Sequence, residues 1–378
     1  MQQTTDEQVI EAIEALIPPL LTTMEMLGTV SRHLHPPNAG RLAGWLAPQA
    51  AAVGEPSAAL RALVGDAGDQ AGAVAVARRL LEVGGEVQAA IRGFRDGAGA
   101  PDPMPMYRAL RRQTQANALL YPLTPVLAPV SRLFLEPDQR ENVALLRALA
   151  EGAMVEGDPD RPLGVVHAGN ERDERGGFSL FVPENYTPDR EWPLIVACHG
   201  GSGHGSDFLW SWVREARTRG CILIAPTSVD RTWSIMEPRD DDAPNLLRIV
   251  EFIGERYRLD RERMLLTGMS DGGTYTLLAG LSGTLPFTHL APFSGVLHPL
   301  LLDNGGMIRA AGMPVYLVHG VLDWMFSVER ARMAAELLGK AGAQITYREI
   351  EDLSHTYARD ENAAVLDWMD VPAPAAAG

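Results

Sequence analysis

The chain has 378 residues, 46% of them hydrophobic, and a formal net charge of −15 at pH 7. That much apolar material fills more than one core, and this length predicts two domains. The acidic balance argues against a nucleic-acid partner, which needs a basic face to displace counterions.

The first residues, Met1 to Glu7, lack the basic and apolar regions of a signal peptide, and no apolar run is long enough to span a bilayer. Cys198 and Cys221 fall in or beside apolar strand-like runs and form no metal-spaced pair, so they read as buried free thiols. A cytoplasmic protein with no metal or organic cofactor is expected.

Residues 1–151 read as a helical domain. Val9, Ile13, Leu16, Leu20, Met24 and Leu27 recur at helical spacing, with Pro18-Pro19 predicting a kink or a break. Asn38 and Ser57 are each placed to cap a short helix, and Gly84-Gly85 interrupts the pattern running from Ala71 to Phe94. These faces predict packing surface, and a lid, a self-association surface or a partner-binding surface are the roles open to them.

Residues 152–164 turn rich in Gly, Pro and acids and read as a linker. From 165 to 370 the rhythm changes. Val165–His167 and Phe178–Val182 predict a hairpin; Leu194–Cys198, Cys221–Ala225, Thr288–Phe293, Val315–Val318 and Ile345–Ile350 predict short buried strands separated by helices. Such alternation predicts a mostly parallel sheet covered on both faces. The acidic run Asp240-Asp241-Asp242 reads as a solvated loop, and residues 371–378 as a disordered tail.

Within this half, an apolar run from Arg263 ends in Gly268-Met269-Ser270-Asp271-Gly272-Gly273 and gives way to a helical stretch, Thr274 to Leu281. This is a Gly-x-Ser-x-Gly elbow between strand and helix. A serine there needs small neighbours so that strand and helix can approach, and the helix begins at the hydroxyl with its free amides and positive dipole end. The chain has a single lysine, Lys340, far along a surface helix, which leaves histidine as the base. Asp323 follows the strand at Val315–Val318 and His355 follows the strand at Ile345–Ile350, in the order Ser, acid, His that this arrangement requires. His289, His298 and His319 precede Asp323 and read as structural; Glu351 and Asp352 sit too near His355 in sequence to aim at its far ring nitrogen. The loop His199-Gly200-Gly201-Ser202-Gly203 follows a strand end and predicts an oxyanion hole, with the amides of Gly201 and Asp271 as donors and Ser202 as the substitute. Met269, Trp233 and Trp324 are expected to wall a substrate pocket.

From about Phe178 to Trp368, through Val182-Pro183-Glu184-Asn185-Tyr186, His199-Gly200-Gly201, the elbow, His319-Gly320-Val321-Leu322-Asp323 and Ser354-His355, the sequence resembles the α/β-hydrolase superfamily. Within it the resemblance is to esterases grouped with phospholipase/carboxylesterases, feruloyl esterases and poly(3-hydroxybutyrate) depolymerase-like proteins. It implies an α/β-hydrolase fold behind an all-α N-terminal domain, and a serine hydrolase that cleaves small-molecule or oligomeric carboxylic esters through an acyl-enzyme on Ser270, Asp323 and His355. A thioesterase or a small-peptide peptidase would carry the same triad. An interaction protein that uses the helical half, with the other half as scaffold, is the alternative of another class.

Overall fold

The computed structural model describes residues 6–65, 72–155, 158–235, 239–303 and 305–374. It divides into two compact units between Phe134 and Leu135.

The first unit carries, in its described residues, helices α1 (Asp6–His33), α2 (Ala39–Leu46), α3 (Gln49–Val64), α4 (Ala73–Gly97), α5 (Met104–Leu110), α6 (Arg112–Leu120) and α7 (Ala128–Leu133). Leu16, Leu20, Leu27, Leu60, Leu80, Val87 and Phe94 are fully buried, which accounts for the apolar spacing in the sequence. Four local signals are overridden in the fold. α1 runs unbroken through Pro18 and Pro19, and the Thr23 hydroxyl donates to the Pro19 carbonyl at 2.7 Å. The buried leucines on either side outweigh the amide bonds the two prolines forgo. Ser57 caps nothing; it lies in the middle of α3, 4% exposed. Asn38 precedes α2, but its side chain bonds back to the His33 carbonyl and the His35 amide. α4 passes through Gly84 without interruption because that glycine is a packing site: a Cβ there would stand 3.1 Å from Ser57 Oγ.

The second unit is built on an eight-stranded sheet of β1 (Gly164–Ala168), β2 (Phe178–Val182), β3 (Trp192–Cys198), β4 (Ile222–Pro226), β5 (Leu259–Met269), β6 (His289–Phe293), β7 (Pro314–Gly320) and β8 (Gln344–Ile350), in the order β1-β2-β4-β3-β5-β6-β7-β8. β1 with β2 and β2 with β4 are antiparallel, and all later neighbours are parallel. Every residue of β3 and β4 is buried, the reason their sequences are unbroken apolar runs rather than alternating ones. α8 (Val143–Ala153) precedes the sheet; α9 (Gly205–Phe208), α10 (Val213–Arg219), α11 (Asp242–Gly254) and α12 (Asp271–Gly280) lie between strands. Among the described residues no helix is long and apolar enough to cross a membrane.

The boundary between the units lies well before the stretch 152–164. Tertiary contacts decide this. The Glu136 amide donates to Thr218 Oγ1 at 2.9 Å, and its carboxylate takes Arg219 Nε at 2.6 Å, with both side chains buried. Gly152 lies so close to the Glu184 backbone that a Cβ would come within 2.0 Å of its carbonyl oxygen. The Tyr257 hydroxyl donates to the Pro162 carbonyl at 2.7 Å, so the Gly/Pro-rich stretch is fastened to the sheet unit; residues 156–157 lie outside the described residues. At the other end, Val371 is 3% exposed, and its carbonyl accepts from Arg219 Nη1 at 2.9 Å. The expected disordered tail therefore begins with an anchored residue, and 375–378 lie outside the described residues.

Candidate active site

β5 delivers Ser270 at its C-terminal end, and α12 starts at the next residue. Ser270 has φ 57° and ψ −118°, a sparsely populated region in which a non-glycine residue is held only by its surroundings. Its amide donates to the Phe293 carbonyl at 2.9 Å, and its carbonyl takes the Thr274 amide at 2.8 Å. Gly272 is what lets the elbow fit: a Cβ there would lie 2.3 Å from the Cys198 carbonyl oxygen and 2.5 Å from that of His199. Sharp turn and close approach follow from one small residue.

Asp323 lies beyond β7 and His355 beyond β8. His355 Nε2 is 3.0 Å from Ser270 Oγ, and His355 Nδ1 is 2.9 Å from Asp323 Oδ2. The other carboxylate oxygen of Asp323 accepts the amides of Met325 at 2.9 Å and Phe326 at 2.8 Å. With Nδ1–H donated to Asp323, the Nε2 lone pair faces the serine hydroxyl. Burial pushes the Asp323 carboxyl upward in pKa, but the hydrogen bond and charge of His355 and the Phe326 amide outweigh it and hold it below the usual carboxylate range. Ser270 and His355 are each 8% exposed. His319, expected to be structural, reaches the same acid: its Nε2 is 3.5 Å from Asp323 Oδ2 and donates to the Phe326 carbonyl at 2.9 Å.

The loop after β3 passes over this elbow. A Cβ on Gly200 would lie 3.7 Å from Ser270 Cβ, and one on Gly201 would lie 2.6 Å from Asp271 Oδ2. Gly201 and Asp271 thus meet beside Ser270. Asp271 occupies the first position of α12, where a backbone N–H has no carbonyl within its own helix to bond. His199 braces the loop: Nδ1–H donates to the Gly200 carbonyl at 2.7 Å and Nε2 accepts the Ser228 amide at 3.1 Å. Ser202, with φ 54°, accepts Arg231 Nε on its hydroxyl at 2.9 Å.

The three expected pocket residues separate. Trp324 is 45% exposed and stands edge-on to the His355 ring at 6.4 Å between centroids, and Met269 is half-buried at the elbow. Trp233 is not a wall. It is 2% exposed, stacks on Tyr275 at 5.1 Å, and donates Nε1–H to the His199 carbonyl at 2.7 Å, so it supports the loop after β3. An indole buries a large apolar area only where its one N–H finds an acceptor, and the loop supplies it. Trp233→Phe keeps the stacking and removes the buried indole donor to that carbonyl; it is expected to destabilise the unit by about 1 kcal/mol in urea unfolding.

Sequence reading missed two supports of this site. Asp242 is 1% exposed rather than solvated: it accepts the amides of Val229 at 2.7 Å and Ser234 at 2.8 Å, and the Ser234 hydroxyl at 2.8 Å, framing the loop that carries Trp233. Burial, partly offset by those bonds, raises its pKa. The Thr232 hydroxyl donates to Asp271 Oδ2 at 2.6 Å and fixes the carboxylate beside Gly201. Neither residue belongs to a motif; only the folded loop distinguishes Asp242 from its two acidic neighbours.

The strand order, the elbow after β5 and the serine, aspartate and histidine beyond the ends of β5, β7 and β8 define an α/β-hydrolase fold. Residues 243–371 match the family model described as Phospholipase/Carboxylesterase, a segment that contains Ser270, Asp323 and His355. Over 106 residues the chain is 31% identical to acyl-protein thioesterase 1 of Gibberella zeae, covering 26% of this chain and 44% of that protein. Over 149 residues it is 26% identical to the bifunctional acetylxylan esterase/xylanase XynS20E of Neocallimastix patriciarum, covering 38% of this chain and 21% of that protein. The chain thus spans less than half the length of either relative. The crystal structure of a thermostable esterase superposes with a TM-score of 0.45 at 21% identity, over 56% of this chain and 63% of that one.

Proposed function

We propose that this protein is a serine hydrolase that cleaves carboxylic esters through an acyl-enzyme on Ser270. The observation that carries the reading is the chain of two hydrogen bonds from Asp323 through His355 to the serine hydroxyl, 2.9 and 3.0 Å long. Ser270 Oγ attacks the ester carbonyl while His355 Nε2 takes its proton. Asp323 holds the ring and stabilises its charged form. The oxyanion of the tetrahedral intermediate accepts from the amides of Gly201 and Asp271, worth about 10²–10³ in rate. His355 then protonates the departing alcohol, and a water, deprotonated by the same nitrogen, releases the acid.

Exposed apolar side chains on the loop that carries the acid, Leu322, Trp324 and Met325, support a neutral ester with an apolar group near the rim. A thioester is the second reading, favoured by the similarity to a protein named as an acyl-protein thioesterase. The buried free thiols of Cys198 and Cys221 suit a cytoplasmic setting.

The test is a fluorophosphonate probe on the full chain, with the adduct mapped by peptide mass spectrometry, followed by turnover of matched oxygen esters, thioesters and amides. A single adduct on the peptide carrying Ser270, together with ester turnover, is the expected result. A folded protein that neither labels nor turns over any of the three overturns the reading, and a thioester preference moves it to the second.

A further inference from the structure

The helical unit contains a feature that ester chemistry does not use. α3 and α4 cross with Ser57 against Gly84 and Gly54 against Gln88, where Cβ atoms on the two glycines would come within 3.1 Å of Ser57 Oγ and 3.0 Å of Gln88 Nε2. As the α3 number rises the α4 number falls, so the helices run antiparallel. Between them lies a groove of about 390 Å³, in the range of small-molecule sites. Its α4 side carries Gln88, Arg92 and Arg95, spaced four and three residues apart and therefore on one face; its α3 side carries Ser57 and Arg61, again four apart. Alanine and glycine make up the rest of the described lining, and none of these described residues is acidic.

Two observations point to a ligand. In a chain of net charge −15, three guanidinium groups line one groove with no carboxylate among its described lining residues; Arg95 also pairs with its exposed neighbour Asp96 at 3.5 Å. Ser57 Oγ is buried there with no hydrogen-bond partner, an expense a folded protein ordinarily avoids. The antiparallel register also places the charge. Arg61 lies one turn beyond Ser57 in one direction, and Arg92 lies two turns beyond Gly84 in the other, so their backbones are roughly 18 Å apart along the groove. Arg92 turns back along α4, its Nη1 donating to Gln88 Oε1 at 3.5 Å, and Arg61 and Arg95 stand toward the two ends of a floor of small residues. That arrangement suits an extended ligand with an anionic group at each end, and guanidinium forks favour phosphate oxygens, which they grip in pairs. No aromatic side chain is among the described lining residues, so none of them would stack on a nucleobase.

We propose that the helical unit binds a small organic bisphosphate between α3 and α4, one phosphate on Arg61 and the other on Arg92 and Arg95, with the Ser57 hydroxyl donating to the ligand between them. Isothermal titration of the full chain with fructose bisphosphate, glucose phosphate and fructose tests it. The expected result is one saturable site for the bisphosphate, at least about tenfold tighter than for the monophosphate, with no binding of the neutral sugar. Arg61→Ala and Arg92→Ala should each bring the bisphosphate down to the monophosphate's affinity, and Ser57→Ala should weaken both ligands, with helical circular dichroism unchanged. Absence of saturable bisphosphate binding tighter than about 1 mM, equal affinity for the two phosphates, or binding that survives both arginine substitutions overturns the proposal.

Discussion

Ser270→Ala is expected to lower kcat for ester hydrolysis by about 10⁶-fold, and His355→Ala by about as much, while the double variant loses almost nothing further. The reason lies in the 3.0 Å contact between Ser270 Oγ and His355 Nε2. An alanine at 270 leaves the histidine no proton to take, and an alanine at 355 leaves the hydroxyl protonated, so either change removes the same step. What remains, about 10³-fold over water, is expected to come from substrate binding and from the proposed oxyanion donors, the amides of Gly201 and Asp271. Steady-state kinetics on a p-nitrophenyl ester, with thermal unfolding to establish that each variant folds, measures this. Losses that multiply in the double variant would mean that the two side chains act in separate steps.

Asp323→Asn is expected to cost about 10⁴-fold in kcat with little change in KM. The amide can still bond to His355 Nδ1, but its NH₂ group can donate there and favour the opposite tautomer, which puts a proton on Nε2 where the serine proton must go. The same substitution has a stability signature. In the folded protein the Asp323 carboxyl is held below the range of an unfolded aspartate, near 3.9, so the unfolded chain binds protons first as pH falls. The carboxylate's contribution is complete above that value and is lost as pH drops towards the folded pKa. Urea midpoints of the native chain and Asp323→Asn should therefore differ at neutral pH and converge below about pH 4. A constant difference across that window would remove the carboxylate's charge as its source.

Much of this site is readable in one dimension because its chemistry imposes local constraints. Gly268, Ser270 and Gly272 stand out because a strained serine between a strand and a helix tolerates nothing larger beside it. Asp323 follows an apolar run of strand length, and His355 follows the more polar stretch Ile345–Ile350, which is nowhere buried although its length predicts a buried strand; a parallel sheet collects the ends of its strands along one edge. The supports were not readable. Asp242 is one of three consecutive acids, Thr232 is an ordinary loop residue, and Trp233 looks like any tryptophan near a pocket until its indole N–H is seen on the His199 carbonyl.

By itself the sequence determined the helical half, the alternating strand-helix half and the residues that meet at the elbow, because periodicity and steric crowding act between near neighbours. The tertiary structure decided where the units divide, that α1 crosses two prolines, that Ser57 and Gly84 are packing partners rather than a cap and a break, and which acid is buried. These depend on groups far apart in the chain, such as Glu136 on Arg219 and Asp242 on Val229 and Ser234, whose pairing exists only once the fold brings them within hydrogen-bond reach.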